Sequence, residues 1–202
     1  FGAIPKRAWM RKYSVNEDNL CPLAMRCILA ISGDRVILVD TGIGNKHTDK
    51  MSYYQPHGLK DIVEAIKELG YTETQITDVV LTHLHFDHCG YATCINESGN
   101  IVPTFSNAKY WLSQKQWNLY KSPNRLETDS IFPENIQPIY DAGQLCLIEK
   151  DTSLYTGFQL QLFDGHTAGQ LVPVMYTHDG IYAFPGDLIP TSAHIPLGWI
   201  SA

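Results

Sequence analysis

The sequence predicts an α+β fold built in layers, and three observations carry that reading. Short apolar runs rich in β-branched residues come in pairs joined by tight turns, at 26–31 with 35–39 and at 171–176 with 181–184. Residues 59–69 instead repeat their apolar side chains at helical spacing. Strands are clustered with helices between them, rather than in a regular βαβ alternation.

The first pair, Arg-Cys-Ile-Leu-Ala-Ile and Arg-Val-Ile-Leu-Val, is split by Ser32-Gly33-Asp34 and reads as a hairpin ending at Asp40-Thr41-Gly42. Leu59, Ile62, Val63, Ile66 and Leu69 mark a helix with Gly70 as its C-terminal stop. Asp78 to Thr82 is a short buried strand, and a histidine cluster follows it at once. Lys109 to Leu112 is a further strand, and Ser113 with Gln116 forms a capping box that opens a helix through Tyr120. Residues 121–138, with Pro123, Pro133 and Pro138, read as a long loop that could form a lid or a wall facing substrate. Phe158, Leu160 and Leu162 alternate with polar residues as in a half-buried strand. Asp179-Gly180 turns the second hairpin, and Pro173 predicts an edge or a bulge in its first strand.

At 202 residues the chain supports one substantial core, and residues 1–202 are read as a single domain. Because it opens on Phe1 and stops at Ala202 with neither a helix end nor a polar tail, the domain is expected to be incomplete at its C-terminus. Apolar residues at 44% and charged residues at 18% exclude a disordered chain. The formal charge is −6 and the densest basic stretch is only Lys6 to Lys12, so no nucleic-acid partner is expected. No apolar run approaches the roughly 20 residues of a membrane helix, so no membrane partner is expected either. No signal peptide is visible, and five irregularly spaced cysteines suit buried thiols in a reducing compartment, so the cytoplasm is the expected location. Cys89 lies beside the histidine cluster, close enough in sequence to touch it.

The chemistry concentrates in His83-Leu84-His85-Phe86-Asp87-His88. In an extended segment residues two apart point the same way, so His83 and His85 can face one point. A tight turn at Phe86-Asp87 could aim Asp87 and His88 at a neighbouring one. A lone histidine is usually a packed or surface residue, but four such groups in six residues would cost several kcal/mol if buried without partners. Imidazole with carboxylate suits zinc, iron or manganese. Two residues further on fit the same centre: His166, in Asp164-Gly165-His166-Thr167-Ala168-Gly169 where small neighbours permit a tight turn, and Asp187 after the 181–184 strand. His47, His57 and His178 read as loop residues.

His-x-His-x-Asp-His, then Gly-His-Thr-x-Gly, then Gly-Asp resembles the metallo-β-lactamase superfamily, and the likeness runs from residue 26 to Asp187. The resemblance implies an αββα sandwich, truncated here at its C-terminus, with a dinuclear site at one edge. It implies that His83, His85 and His166 hold one divalent ion, zinc first with manganese or iron as alternatives. Asp87 and His88 would hold a second, and Asp187 would bridge both. Asp40 is similar to the family's aspartate that orients the ligand loop. A further histidine ligand is expected beyond residue 202, and His194 is read as a structural or pocket residue.

The implied reaction is hydrolysis of an ester-type bond by a metal-bridged hydroxide, with Asp87 and Asp187 as catalytic carboxylates and Asp87 shuttling a proton. The chain is similar to the branch with lactonases and methyl-parathion-hydrolase-like enzymes, including at Phe1 to Lys6 and at Gly186 to Thr191. A small-molecule substrate is therefore expected, an N-acyl homoserine lactone or a phosphotriester, with a homodimer as the candidate assembly. Lactonases carry a Tyr soon after the bridging aspartate, where this chain has Leu188-Ile189-Pro190. A thioester hydrolase similar to glyoxalase II and a non-catalytic metal-binding scaffold are the alternatives. Trp111, Trp117, Phe132 and Trp199 are candidates for an apolar pocket, with core packing the first reading for Trp111 and Trp117.

Overall fold

A computed structural model describes residues 4–200. Helix α1 (Lys6–Trp9) precedes a hairpin of β1 (Ile28–Ser32) and β2 (Arg35–Val39). Next come α2 (Ile62–Glu68), β3 (Asp78–Val80), α3 (Phe86–Cys89), and the ribbon of β4 (Thr93–Ile95) and β5 (Ile101–Pro103). Strand β6 (Lys109–Ser113), α4 (Gln114–Lys121), α5 (Gln137–Asp141) and β7 (Leu145–Ile148) follow. The chain continues through β8 (Thr152–Tyr155), β9 (Phe158–Phe163), β10 (Gln170–Thr177) and β11 (Gly180–Ala183). Phe1 to Ala3, part of the lactonase-like opening, lie outside the described residues.

Two sheets form the body. The first has the order β1-β2-β3-β6-β7 and is parallel except for the β1–β2 hairpin. The second, β11-β10-β9-β8, is antiparallel throughout. Side chains alternate along a strand, and in the first sheet both faces are buried. Leu38, Val79, Tyr110 and Leu112 meet Ile66 of α2 and Ile139 of α5 in one cluster. Ile37, Val39 and Val80 point the other way, onto Phe158, Leu160, Leu171 and Met175 of the second sheet. Burial on both sides explains why β2 reads as a continuous apolar run instead of an alternating one.

The structure corrects several local expectations. The helix expected at 59–69 begins at Ile62, because the Asp61 carboxylate accepts the amides of Val63 and Glu64 and caps it there. Pro173 sits in β10, which is flanked on both sides, so it marks neither an edge strand nor a bulge. Its carbonyl accepts the Phe184 amide just past the end of β11. The missing N–H therefore falls where the neighbouring strand stops. Trp111 belongs to the layer between the sheets, with its indole N–H on Asp78 at 2.9 Å, and Trp117 packs on the helix-side cluster. Among the described residues no helix is long and apolar enough to cross a membrane.

Leu160 is fully buried between the sheets, whereas Ile181 of β11 is 68% exposed. Leu160→Ala is expected to cost about 2–5 kcal/mol through lost burial and the cavity it leaves. Ile181→Ala should change stability by no more than about 0.5 kcal/mol. Denaturant unfolding of both variants measures the contrast.

Candidate metal centre

The carboxyl ends of the parallel strands β2, β3 and β6 lie side by side, where open α/β sheets place their ligands. Asp40 leaves β2, Thr82 to His88 follow β3, and Ser113 ends β6 at the start of α4. The second sheet closes over this edge: the amide of Leu171, in β10, donates to the carbonyl of Thr82 at 2.8 Å. It supplies His166 from the β9–β10 turn and Asp187 after β11.

Local sequence sets each approach. His85 is extended, and the chain then makes one helical turn, α3, in place of a simple tight turn. Gly90 ends that turn against the loop after β2; a Cβ there would lie 2.0 Å from the carbonyl oxygen of Ile43. Lys46 donates from Nζ to the carbonyls of Gly90 and Thr93 and fastens the same junction. Gly169 takes φ +72°, and a Cβ there would lie 2.5 Å from Lys115, so the His166 turn needs glycine to lie against α4.

Asp40 is 1% exposed and adopts φ 55°, a left-handed conformation. One carboxylate oxygen accepts the Thr82 amide at 2.8 Å. The other accepts the Thr82 hydroxyl at 2.8 Å and Nδ1–H of His88 at 2.7 Å. These bonds fix the tautomers. Since Thr82 gives its proton to Asp40, it can only accept from His83 Nδ1, 3.1 Å away, and His83 Nε2 keeps a bare lone pair. His88 likewise turns Nε2 into the site.

Two convergent sets result. In the first, His83 Nε2 and His166 Nε2 each lie 3.0 Å from His85 Nδ1. The second joins His83, His88 and Asp187. Within each set the donor atoms lie within 4.8 Å of one another. Asp187 spans the two, with Oδ1 3.3 Å from His88 Nε2 and Oδ2 3.7 Å from His166 Nε2. Asp87 stands beside the second set, its Oδ2 3.7 Å from His88 Nε2. The structure leaves His194 out of both sets and puts its Nδ1 2.7 Å from the Thr191 hydroxyl. His47 pairs with Glu134 at 2.8 Å, and His178 is exposed. Cys89 is buried in the helix-side core with its thiol on the Leu84 carbonyl, so it backs the cluster without entering it.

The donor set fits a divalent cation. Burial, then the neighbouring imidazoles of His88, His85 and His166, hold His83 well below its ordinary pKa and keep it neutral. Ring nitrogens 3.0 Å apart need a proton or a metal cation between them, and a convergent set of three imidazoles suits a divalent ion. At His88 burial acts downward, but Asp40, Asp187 and Asp87 outweigh it and raise the pKa to about 11. The carboxylates thus demand positive charge, which an imidazolium supplies in the metal-free chain.

Two contributors were not read from the sequence as site residues. Glu127, in the long loop, accepts the Thr167 hydroxyl at 2.5 Å and stands 3.4 Å from His85 Nε2, close to the buried ring nitrogen but without a hydrogen bond to it. Gln116 forms only half of the expected capping box. Its amide donates to Ser113 Oγ at 3.1 Å, but its side chain turns away to the Leu84 amide and the His166 turn.

The profile of the Metallo-beta-lactamase superfamily matches residues 26–200, and the chain belongs to that superfamily. A solved structure of a probable metal-dependent hydrolase from Staphylococcus aureus superposes with a TM-score of 0.90 at 27% identity, covering 100% of this chain and 72% of that one. An N-acyl homoserine lactonase from Bacillus cereus is 25% identical over 178 residues, 81% of this chain and 64% of its own length. AidC, a dizinc quorum-quenching lactonase in complex with a product homoserine, shares the fold with a TM-score of 0.61 at 24% identity, over 81% of this chain and 56% of that one. The chain therefore spans less than two thirds of the length of the curated relative it matches.

In the metal-free protein His88 is expected to stay charged through neutrality and to discharge near pH 11, while His83 stays neutral. Asp40→Asn should return His88 toward 6.5. A ¹⁵N NMR titration reads both rings, and a wild-type His88 that already discharges near 6.5 would contradict the role given to Asp40.

Proposed function

We propose that this chain is the metal-binding core of a hydrolase that cleaves an ester-type bond, with a lactone of the N-acyl homoserine class as its substrate. His83, His85 and His166 hold one divalent ion, His88 and Asp87 hold a second, and Asp187 joins them. Zinc is the first choice, and manganese and iron suit the same donors. The observation that carries this reading is the convergence of three ring nitrogens at 3.0 Å with Asp187 reaching from one set to the other. The lactonase similarity supports the substrate class.

When bound, the ions supply an acidified water and positive charge opposite the substrate carbonyl. The chain's own groups do the rest. Asp187 fixes the separation of the two ligand sets through its two oxygens. Asp87, with a side chain 35% exposed, can take a proton from the attacking water and pass it to the ring oxygen as the ester C–O bond breaks. The product is a hydroxy acid, with no redox partner required. Phe86, between His85 and Asp87, stacks on Phe132 at 5.8 Å and touches Tyr54 at 5.6 Å, which offers an aromatic wall to an acyl chain.

The test is hydrolysis by the full-length protein loaded with zinc or manganese, given an N-acyl homoserine lactone, an aryl phosphotriester and a thioester in parallel. Lactone opening is expected to be fastest. Removing an outer hydrogen-bond partner of a metal site costs about 10–100-fold, so His83→Ala should lower kcat/KM by at least about 100-fold. Phosphotriester or thioester turnover without lactone opening would overturn the substrate class. No turnover of any of the three by fully loaded protein would overturn the hydrolytic reading and favour a binding role.

A further inference from the structure

We propose that Gln116, which offers no atom to a metal, is the positioning residue that sets the geometry of the three-histidine set. The inference rests on the ligand roles proposed above for His83, His85 and His166.

Those three side chains come from different parts of the fold. His83 and His85 follow a strand of the first sheet, and His166 sits in a turn of the second. Something must hold the two segments at a fixed distance. Gln116, 0% exposed near the start of α4, does so with one carboxamide. Its Oε1 accepts the amide of Leu84, the residue between His83 and His85, at 3.0 Å. Its Nε2 donates to Thr167 Oγ1 at 2.9 Å and to the Ala168 carbonyl at 2.7 Å, on the two residues that follow His166.

The acceptor and both donors are thus engaged, which leaves the side chain one satisfactory orientation. Its stem is held by the bond from its own amide to Ser113 Oγ. The Thr167 hydroxyl in turn donates to Glu127, whose carboxylate stands 3.4 Å from Nε2 of His85. A buried carboxamide is costly unless every polar group is paired. An apolar side chain of equal size would leave the Leu84 amide and the Ala168 carbonyl without partners. The two turns could then relax apart, and metal coordination tolerates little change in distance.

Binding of zinc to the full-length protein, measured by competition with a chromophoric chelator, tests the proposal. The melting temperature of the metal-free protein is recorded alongside, and binding is measured where each variant is folded. Wild type is expected to bind; a wild type that binds no ion would overturn the ligand roles themselves, an outcome distinct from failure of Gln116. Gln116→Met should weaken zinc binding by about 10–100-fold, the usual effect of losing an outer partner. A variant that melts earlier yet binds zinc with wild-type affinity would show Gln116 to be a packing residue only and overturn the proposal. If Gln116→Met does not fold, Thr167→Val, which removes one of the three bonds together with the Thr167–Glu127 bond, is measured in the same way, with Glu127→Gln alongside as the control for that second bond. A several-fold loss of affinity supports the clasp, and unchanged affinity overturns it.

Discussion

Asp40 brings a negative charge to a point 1% exposed, where water cannot solvate it. An isolated buried carboxylate is among the costliest groups a fold can hold. It is kept there by the Thr82 amide, the Thr82 hydroxyl and the His88 imidazole, all bound within 2.8 Å. Each of those bonds also decides something about the centre. The amide bond fixes where the chain leaves β3, and the hydroxyl bond sets the tautomer of His83 through Thr82. The bond to His88 turns its Nε2 toward Asp187. The left-handed backbone at Asp40 lets the side chain turn back across the strand ends. One carboxylate thus orders side chains of both sets while its own oxygens stay outside them.

The opposite end of β3 carries a matching device. Asp78, 0% exposed, accepts the Trp111 indole N–H at 2.9 Å and the Tyr155 hydroxyl at 2.7 Å. Trp111 belongs to the first sheet and Tyr155 to the second, so this bond pair joins the sheets away from the site. The Leu171 amide on the Thr82 carbonyl joins them beside it. Held at both ends, the sheets present His166 and Asp187 to a site otherwise built on the first sheet alone.

Much of this was legible in the sequence, and for identifiable reasons. The period of two in 158–162, the hairpin turns at Gly33 and Gly180, and the helical spacing around Ile66 are local signals, and those elements form close to where the pattern puts them. The density of chemistry in residues 83–88 marked the loop, since packing alone does not explain such a run. What stayed hidden depends on contacts distant in the chain. Glu127 lies in a proline-rich loop with no period, and its neighbour His85 is 42 residues away in sequence, a partnership no local pattern encodes. Gln116 carried a capping-box signal, but the tertiary demand of the Leu84 amide and the His166 turn outweighed that local bond. Pro173 looked like an edge residue because sequence does not reveal that β11 stops one residue short of it.

The central claim is that the three histidine nitrogens converge because they hold a metal ion. Anomalous diffraction at the zinc edge, from crystals of the zinc-loaded protein, tests it most directly. The account predicts an anomalous peak about 2.0–2.1 Å from Nε2 of His83, Nδ1 of His85 and Nε2 of His166, the distance expected for zinc–imidazole bonds. Zinc bound through the opposite nitrogen of His85, or bound elsewhere while these three rings stay bare, would contradict it.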